Sequence, residues 1–306
     1  MTSVLYDVPG PKAQRRNLIL AVVTVVVVVA LIAFVVWRLS LTNQFSAAKW
    51  NVFTYTLVWE SIGQMLLNTL RAFALAAVLS LALGFLLAIG RLSDHAWVRV
   101  PATVLTEAFR AVPVLVMMMI LYYGMPTLGV KVDPYWAVVI ALMVYNGSVL
   151  AEALRAGVES LPKGQKEAGF AIGLRKSGVM MLILLPQAVR AMLPVIVAQL
   201  VVAMKDTALG FIITYQELLY YAKLLSSQPG RPILQSALVI GGIYIVMCLI
   251  LSGIARWLEI RTRRSPKLKG ATPLAIDDPR VHDGTVTEVI AMQRGGEKPG
   301  AGGTSL

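Results

Sequence analysis

The sequence predicts an all-α membrane protein with six transmembrane helices. Of its 306 residues, 57% are hydrophobic and only 14% are charged, which is too apolar for an ordinary soluble domain. Residues 18–37 form an uninterrupted apolar run, and at about 1.5 Å per residue it spans the roughly 30 Å hydrocarbon core of a bilayer. Further apolar runs recur along the chain and are separated by shorter polar stretches.

The first predicted span, residues 18–37, follows a cluster of basic residues. A cleaved signal peptide is the alternative for an apolar run in this position. The run is long and ends in Val-Val-Trp-Arg without a small-x-small cleavage site, which favours an anchored helix. Trp50 and Trp59, in the polar stretch that follows, suit a membrane interface.

The second and third predicted spans differ in character. The second, residues 65–90, is rich in alanine, serine and glycine, and small residues let neighbouring helices approach closely. The third, residues 104–124, carries Glu107 and Arg110 near its inner end and is predicted to kink at Pro113. For Glu107 and Arg110 an i,i+3 ion pair is favoured over contact with a substrate.

The fourth predicted span, residues 135–155, places Asn146, Gly147 and Ser148 near its middle. Polar side chains at that depth face a helix partner or a wet cavity rather than lipid. Interhelical hydrogen bonding and substrate contact both remain open for them.

The fifth predicted span runs from Pro186 to about residue 202 and is kinked at Pro194. Residues 208–213 are then predicted to fold back along the outer leaflet, where they must be buried in protein or line a cavity. The sixth span, residues 232–257, has Gly241 and Gly242 near its centre, which predicts close packing.

Composition excludes several kinds of site. The net charge is +12, but the basic residues lie beside apolar runs rather than in a stripe with aromatics, which indicates membrane orientation rather than nucleic-acid binding. The single cysteine, Cys248, permits no intrachain disulfide, and His95 and His282 are too far apart in sequence to suggest a metal site. Methionines 117–119 indicate adaptable packing rather than a soft-metal path. The sequence contains no GxxxxGK[ST] phosphate loop, so ATP binding by that route is not expected.

The distribution of basic residues predicts the orientation of the spans. They cluster at 12–16, 91–110, 155–190 and 256–269. By the positive-inside rule these clusters are cytoplasmic, so both termini and the loop 156–186 are expected to face the cytoplasm.

The loop 156–186 is the one long polar interruption that also has helical character. Pro162 suits a helix start, and Gly173 suits a helix end. Gly178 is expected to loosen the chain again, and Pro186 to force a bend because it lacks a backbone donor. The pattern predicts a short, solvent-facing helix between two membrane-embedded segments, which suits a docking lever.

This loop resembles the EAA loop of bacterial ABC importer permeases. The residues that carry the resemblance are Glu167-Ala168-Gly169, Gly173 and Ile183-x-Leu185-Pro186. The spacing matches throughout, and the single departure is Gly169, where a second alanine is usual. A glycine there is expected to weaken the helix by ~1 kcal/mol.

Other stretches resemble the polar-amino-acid branch of these permeases, the histidine/glutamate type, over roughly residues 60–260. They are Asn68-Thr69-Leu70, Ile89-Gly90-Arg91-Leu92-Ser93, Glu107-Ala108-Phe109-Arg110, Tyr122-Tyr123-Gly124-Met125-Pro126, Leu161-Pro162-Lys163-Gly164-Gln165 and Lys205-Asp206-Thr207.

The resemblance implies a type I ABC importer (MetI-like) core of five helices, to which the first span is an addition. Residues 1–60 would hold a cytoplasmic segment, the extra helix and an outer loop. Residues 61–260 would form the core with its coupling loop 156–186. Residues 261–306 are basic and then rich in glycine and proline, which is typical of a disordered tail.

The resemblance also implies the function: a permease subunit of the bacterial cell membrane that catalyses no covalent step itself. Its implied partners are a separate ATPase that holds ATP and Mg²⁺, a second permease subunit (identical or related) and an extracytoplasmic amino-acid-binding protein. The implied residues for coupling to the ATPase are Lys163, Gly164, Glu167, Ala168, Gly169, Gly173, Leu185 and Pro186.

The expected substrate pathway centres on Arg71. In the alternative, the long side chain of Arg71 extends outward to phosphate headgroups of the membrane. If it turns inward, a cation beside polar groups favours an anionic solute, and glutamate is a substrate class of the branch that the chain resembles. The candidate pathway residues are Asn68, Thr69, Arg71, Lys205, Asp206 and Thr207.

A self-contained secondary transporter or channel is the alternative function. It would need paired ionisable residues near mid-bilayer and usually internal repeats. The sequence shows Arg71 partly inside a span, no acidic partner at matching depth and no convincing repeat. A structural membrane scaffold is a third and weaker interpretation.

Overall fold

The computed structural model describes residues 10–230 and 232–263, and within these ranges the chain is helical, with no strand. The α-helices are α1 (Pro11–Leu41), α2 (Ala47–Trp50), α3 (Thr56–Arg91), α4 (Ala96–Ala111), α5 (Val114–Met119), α6 (Pro134–Glu159), α7 (Lys163–Ala171), α8 (Lys176–Gly178), α9 (Leu185–Asp206), α10 (Leu218–Ser226) and α11 (Ile233–Arg263). Short 3₁₀ helices lie at Asn51–Thr54, Met125–Leu128 and Thr207–Ile213, and π-helical turns at Ile120–Gly124 and Val179–Leu184.

Five helical segments of the described chain are long and apolar enough to cross a membrane, and a bent helix pair provides a sixth. The five are Pro11–Leu41, Thr56–Arg91, Pro134–Glu159, Lys176–Ile213 and Ile233–Leu258. This confirms the predicted fold class. The inner side is here the one that the positive-inside rule predicts to be cytoplasmic. In that orientation α3 runs inward, the bent pair leads outward, and α6 runs inward again to the loop that contains α7.

The bent pair confirms the kink predicted at Pro113 in the third span and shows that it is sharp. Ala96–Ala111 and Val114–Leu128 meet at an angle of 95°. Val112 adopts an extended conformation, with φ −90° and ψ 124°. Pro113 causes the break, because its ring pushes the preceding residue out of the helical region and it donates no backbone hydrogen bond.

The fifth span also differs from the prediction. Its helical run begins at Lys176 rather than after Pro186, and Gly178 has a helical φ of −63°, so the prediction that Gly178 loosens the chain is wrong. The π-helical turn Val179–Leu184 precedes Pro186, which is how a helix accommodates a missing donor without a sharp bend. Residues 208–213 continue the same run as a 3₁₀ helix instead of folding back, and the left-handed Thr214 ends it.

The core forms where α3 packs on α6. An added Cβ at Gly84 would lie only 2.9 Å from the Cβ of Leu150 and 3.0 Å from the carbonyl oxygen of Gly147. Ser80 donates a hydrogen bond across the same contact to the carbonyl of Leu142, at 3.3 Å. The predicted close packing of the second span is therefore confirmed, and it depends on small residues on both helices.

Two other packing predictions have opposite outcomes. Asn146 is fully buried and accepts a hydrogen bond from Gln199 of α9 at 2.8 Å, which confirms the interhelical alternative for the polar centre of the fourth span. By contrast, a Cβ added to Gly241 or Gly242 would meet no atom within 4 Å. The prediction of close packing at this pair is therefore wrong within the described chain.

The two ends of the described chain lie outside this core. No residue of α1 is buried, and the turn after it is held to α11 by a hydrogen bond from the Gln235 side chain to the Gln44 carbonyl. The last helix continues to Arg263, so the first three residues of the predicted tail are helical. The rest of that tail, including His282, lies outside the described residues.

Candidate functional site

The inner loop contains the predicted solvent-facing helix, α7 (Lys163–Ala171), in which Gly169 is the one buried residue. Its end is closed by two backbone hydrogen bonds, from Gly173 to the Phe170 carbonyl (2.9 Å) and from Leu174 to the Gly169 carbonyl (3.2 Å). Gly173 has φ +82°, the left-handed conformation that this type of helix end requires. The prediction that Gly173 ends the helix is confirmed.

The departure at Gly169 has a packing reason. A Cβ at this position would lie 2.9 Å from Val179 Cγ2 and 2.9 Å from Ile183 Cδ1. Glycine lowers the intrinsic stability of α7, but here it lets the helix lie directly on the π-helical turn. The sequence alone suggested only the first effect.

Two polar contacts hold the loop, at α7 and at α8, to the rest of the inner side. Gln187 of α9 donates to the Gln165 side chain at 3.1 Å. Lys176 forms an ion pair with Asp94 in the turn between α3 and α4, and this hydrogen bond holds the pKa of the exposed Asp94 carboxyl below its usual value. The loop is thus in contact with the ends of three long helical segments.

The predicted coupling residues divide into two groups. Lys163, Gly164, Glu167 and Ala168 are exposed on α7, whereas Leu185 is buried in the helix that follows. Two exposed apolar side chains were missed: Phe170 is 43% exposed and Ile172 is 75% exposed. Large apolar residues in a helix predicted to face water were the available signal, because such residues often mark a protein contact.

A network of ion pairs joins the inner ends of three helices. Arg91 of α3, whose side chain is 8% exposed, contacts Glu152 of α6 at 2.9 Å and Glu107 of α4 at 3.2 Å. Glu107 also pairs with Arg110 at 3.7 Å, which confirms the favoured local pair. Arg155 contacts Glu152 at 2.7 Å. The local pair that the sequence predicted is therefore part of one cross-helix network of charges.

On the opposite side, the chain between α9 and α10 carries a buried carboxylate that was not predicted to matter. Glu217 is fully buried and accepts hydrogen bonds from the Leu219 amide (2.7 Å), the Tyr220 amide (2.6 Å) and the Tyr244 hydroxyl of α11 (2.7 Å). Burial raises the pKa of Glu217 to about 7, against the opposing effect of these hydrogen bonds. The sequence carried little signal for either role, because glutamate is not among the residues preferred at helix N-caps and Tyr244 is 27 positions away.

The same outer segment is bonded to α3. Asn68 donates to the Gln216 carbonyl at 2.9 Å, and the Tyr215 hydroxyl donates to the Asn68 carbonyl at 2.8 Å. The Leu218 amide donates to Thr69 Oγ1 at 3.3 Å. Asn68 and Thr69, predicted as pathway residues, thus connect α3 to the segment before α10.

The predicted pathway residues do not all converge within one protomer. Arg71 and Asn68 line an open outer cavity of about 460 Å³. Lys205 lines a different groove, with Arg256 of α11, and Thr207 is buried and donates to the Met204 carbonyl. The remaining residues of the outer cavity are Asp133, Pro134, Tyr135, Thr214, Tyr215 and Gln216.

Comparison with known sequences gives consistent matches. Residues 80–264 match the family described as binding-protein-dependent transport system inner membrane component. The chain is 38% identical over 229 residues to the glutamate transport system permease protein GluD of Corynebacterium glutamicum, a match that covers 74% of this chain and 84% of that protein. It is 32% identical to the arginine transport system permease protein ArtQ of Bacillus subtilis, covering 62% and 87%. It is also 32% identical to the glutamine transport system permease protein GlnP of Escherichia coli, covering 69% and 98%.

Solved structures show the same similarity in three dimensions. A crystal structure of an amino acid ABC transporter with histidines superposes with a TM-score of 0.63 at 26% identity, covering 69% of this chain and 97% of that one. An inward-facing MetNI methionine ABC transporter superposes with a TM-score of 0.50 at 16% identity, covering 67% and 94%, which shows a shared fold.

Proposed function

The chain belongs to the family of binding-protein-dependent transport system inner membrane components, as a permease of amino-acid ABC importers, and from that premise we propose that it carries an acidic amino acid, glutamate first, into the cytoplasm. The observation that carries the proposal is the 38% identity to a permease named for glutamate. Relatives at 32% identity are named for arginine and glutamine, so the substrate varies within this family. Membership of this family overturns the alternative of a self-contained secondary transporter.

We infer that a separate ATPase docks on α7 and holds the ATP and Mg²⁺. The exposed face of α7 offers Lys163, Glu167 and Phe170, and the exposed apolar side chain of Ile172 follows directly after the helix. Apolar residues surrounded by charged ones are typical of a protein contact surface. A second permease subunit and an extracytoplasmic binding protein complete the proposed complex.

Movement of α7 would reach the transmembrane helices through contacts that the structure contains. Gly169 lies against Val179 and Ile183, so a displacement of α7 presses directly on the helix that becomes α9. The ion pair of Lys176 with Asp94 connects the same point to the turn between α3 and α4. Packed elements of this kind move as rigid bodies, and we propose that they rock the spans between inward-open and outward-open states.

The proposal is tested with the complete complex in vesicles that enclose ATP. Binding protein loaded in turn with L-glutamate, L-glutamine or L-arginine is added outside, and uptake and ATP hydrolysis are measured. We expect glutamate to give the largest stimulation of both. Stimulation by glutamine or arginine alone would overturn the acidic substrate and leave the importer assignment in place.

A further inference from the structure

The outer cavity contains one cation and one carboxylate that are not paired with each other. Arg71 and Asp133 both line it, and among the described residues neither forms an ion pair. One carboxylate oxygen of Asp133 accepts a hydrogen bond from the Tyr135 amide at 2.8 Å, where it caps α6. The other oxygen and the guanidinium of Arg71 are open to a ligand.

The two charges lie at the same depth. At the inner ends, α3 and α6 are joined by the ion pair of Arg91 with Glu152 at 2.9 Å. Arg71 precedes Arg91 by 20 positions and Asp133 precedes Glu152 by 19, which correspond to about 30 Å and about 28 Å along the helices. The stretches between are uncharged and their length matches the hydrocarbon core, so we place Arg71 near the outer boundary of the apolar region.

Both charges also act on one group in the cavity wall. Burial raises the pKa of the Tyr215 phenol, with Asp133 adding to the rise and Arg71 opposing it. The Tyr215 hydroxyl donates a hydrogen bond to the Asn68 carbonyl at 2.8 Å, and Tyr215 lines the same cavity as the two charged side chains. The wall of the cavity is therefore ordered, and its two open charged groups face a common space.

We propose that this cavity binds the head group of an α-amino acid, with Arg71 facing the α-carboxylate and Asp133 facing the α-ammonium group. The inference rests on the proposed amino-acid transport and identifies the part of the substrate that is recognised here. A guanidinium binds a carboxylate in a fork of two hydrogen bonds, and a free carboxylate oxygen accepts from an ammonium group. A solute lacking either charge leaves one protein charge unmatched, which provides discrimination.

The head group is common to glutamate, glutamine and arginine, the amino acids for which the related permeases are named. Arg71 is thereby assigned to a feature that all amino acids share, and the side chain of the substrate is selected elsewhere. The cavity of about 460 Å³ leaves room for a side chain beyond the head group.

The test measures equilibrium binding of radiolabelled L-glutamate to the permease–ATPase complex in nanodiscs, without binding protein. Glutarate, which lacks the α-ammonium group, and 4-aminobutyrate, which lacks the α-carboxylate, serve as competing ligands. We expect Asp133→Asn to weaken the binding of L-glutamate about tenfold and to leave the affinity for glutarate unchanged, since one charge-assisted hydrogen bond is lost. Arg71→Gln should weaken the binding of L-glutamate about tenfold and leave the affinity for 4-aminobutyrate unchanged.

Asn at position 133 keeps the acceptor that caps α6, so the variant is expected to fold. Glu60→Gln and Lys131→Gln remove outer charges that do not line the cavity, and they should leave the binding of all three ligands unchanged.

Three outcomes would overturn the inference while the importer assignment stands. The first is that Asp133→Asn weakens the binding of L-glutamate and of glutarate equally. The second is that Arg71→Gln weakens the binding of L-glutamate and of 4-aminobutyrate equally. The third is that L-glutamate does not bind to a wild-type complex that transports normally with its binding protein. Absence of both binding and uptake for every amino acid would instead overturn the proposed function, and this inference with it.

Discussion

The inner loop and the outer connector, residues 207–218, are held in the fold by different kinds of contact. In the inner loop most partners are close in sequence: Gly169 packs on Val179 and Ile183, and Gln187 bonds to Gln165 across 22 positions. In the outer connector, the hydrogen bond between Asn68 and the Gln216 carbonyl spans 148 positions. The first is a locally encoded module, and the second is a junction of distant helices.

This difference indicates separate mechanical roles for the two segments. A short helix that rests on one neighbouring turn and is exposed on its other faces can move as a unit when a partner pulls on it. The outer connector is attached to α3 through Thr69 and to α11 through Tyr244, so it moves only if those helices move. We therefore expect damage to the outer connector to affect assembly, and damage to the inner loop to affect coupling.

The largest effect is expected from Glu217→Ala. It removes the cap of α10 and leaves the Tyr244 hydroxyl and two amides without their acceptor. A lost cap costs about 0.5–2 kcal/mol and an unpaired buried donor about 1–3 kcal/mol, so we expect a loss of about 2–4 kcal/mol. The thermal stability and yield of the detergent-solubilised complex measure it. Glu217→Gln retains one acceptor and should be milder, and equal stability of the alanine variant and the wild type would contradict the assigned role.

The next effect concerns Gly173→Val in the inner loop. A β-branched residue at φ +82° is strained by roughly 1–2 kcal/mol or more, which shifts the end of α7 without touching a span. We expect normal membrane insertion and assembly but strongly reduced stimulation of ATP hydrolysis by loaded binding protein. Gly178→Ala is the matched control, because Gly178 is helical and its added Cβ would approach Leu174 no closer than 3.6 Å. Normal stimulation in a fully assembled Gly173→Val complex would contradict the docking assignment.

A smaller effect is expected from Gly169→Ala, which restores the alanine usual in this family. The gain in helix propensity, about 1 kcal/mol, is opposed by contacts of 2.9 Å with Val179 and Ile183. We expect ATPase stimulation to fall about two- to fivefold through displacement of α7, an energy of up to about 1 kcal/mol. Adding Ile183→Val removes one of the close atoms and should restore part of the activity. An improved single variant would show that the close packing does not matter.

The last prediction is a pH dependence confined to the outer connector. The pKa of Glu217 is raised from 4.5 to about 7, so between these values the folded protein holds a proton that the unfolded chain has released. Its contribution to the free energy of unfolding is complete below the unfolded pKa and is lost as the pH rises through 7. We expect the Tm of the wild type, relative to Glu217→Gln, to fall by a few degrees between about pH 5 and about pH 8. Parallel Tm curves would exclude this effect.

The sequence was informative where structure depends on neighbouring residues. Length and hydropathy identified the spans, because crossing a bilayer requires a continuous apolar run. The placement of Gly173 identified the end of α7, because few residues other than glycine adopt a left-handed helix end. The local pair of Glu107 and Arg110 followed from helix periodicity alone.

Predictions failed where one sequence signal is compatible with more than one structure. Proline signals a missing donor, but it breaks the chain by 95° at Pro113 and is absorbed by a π-helical turn before Pro186. Both responses satisfy the backbone, and packing against other helices decides between them. The glycine pair of α11 is a similar case, because the sequence could not specify whether another helix of the protomer packs against it.

The sequence by itself determined the helical membrane architecture, the short helix α7 and the family, since each depends on runs and spacings of adjacent residues. Only the tertiary structure decided which polar groups come together. Glu217 bonds to Tyr244, Arg91 pairs with Glu152, and Arg71 lines the same cavity as Asp133 rather than the groove of Lys205. These partners belong to different helices. Their meeting depends on how the helices rotate and cross, and that is set by the shape of the whole packed surface.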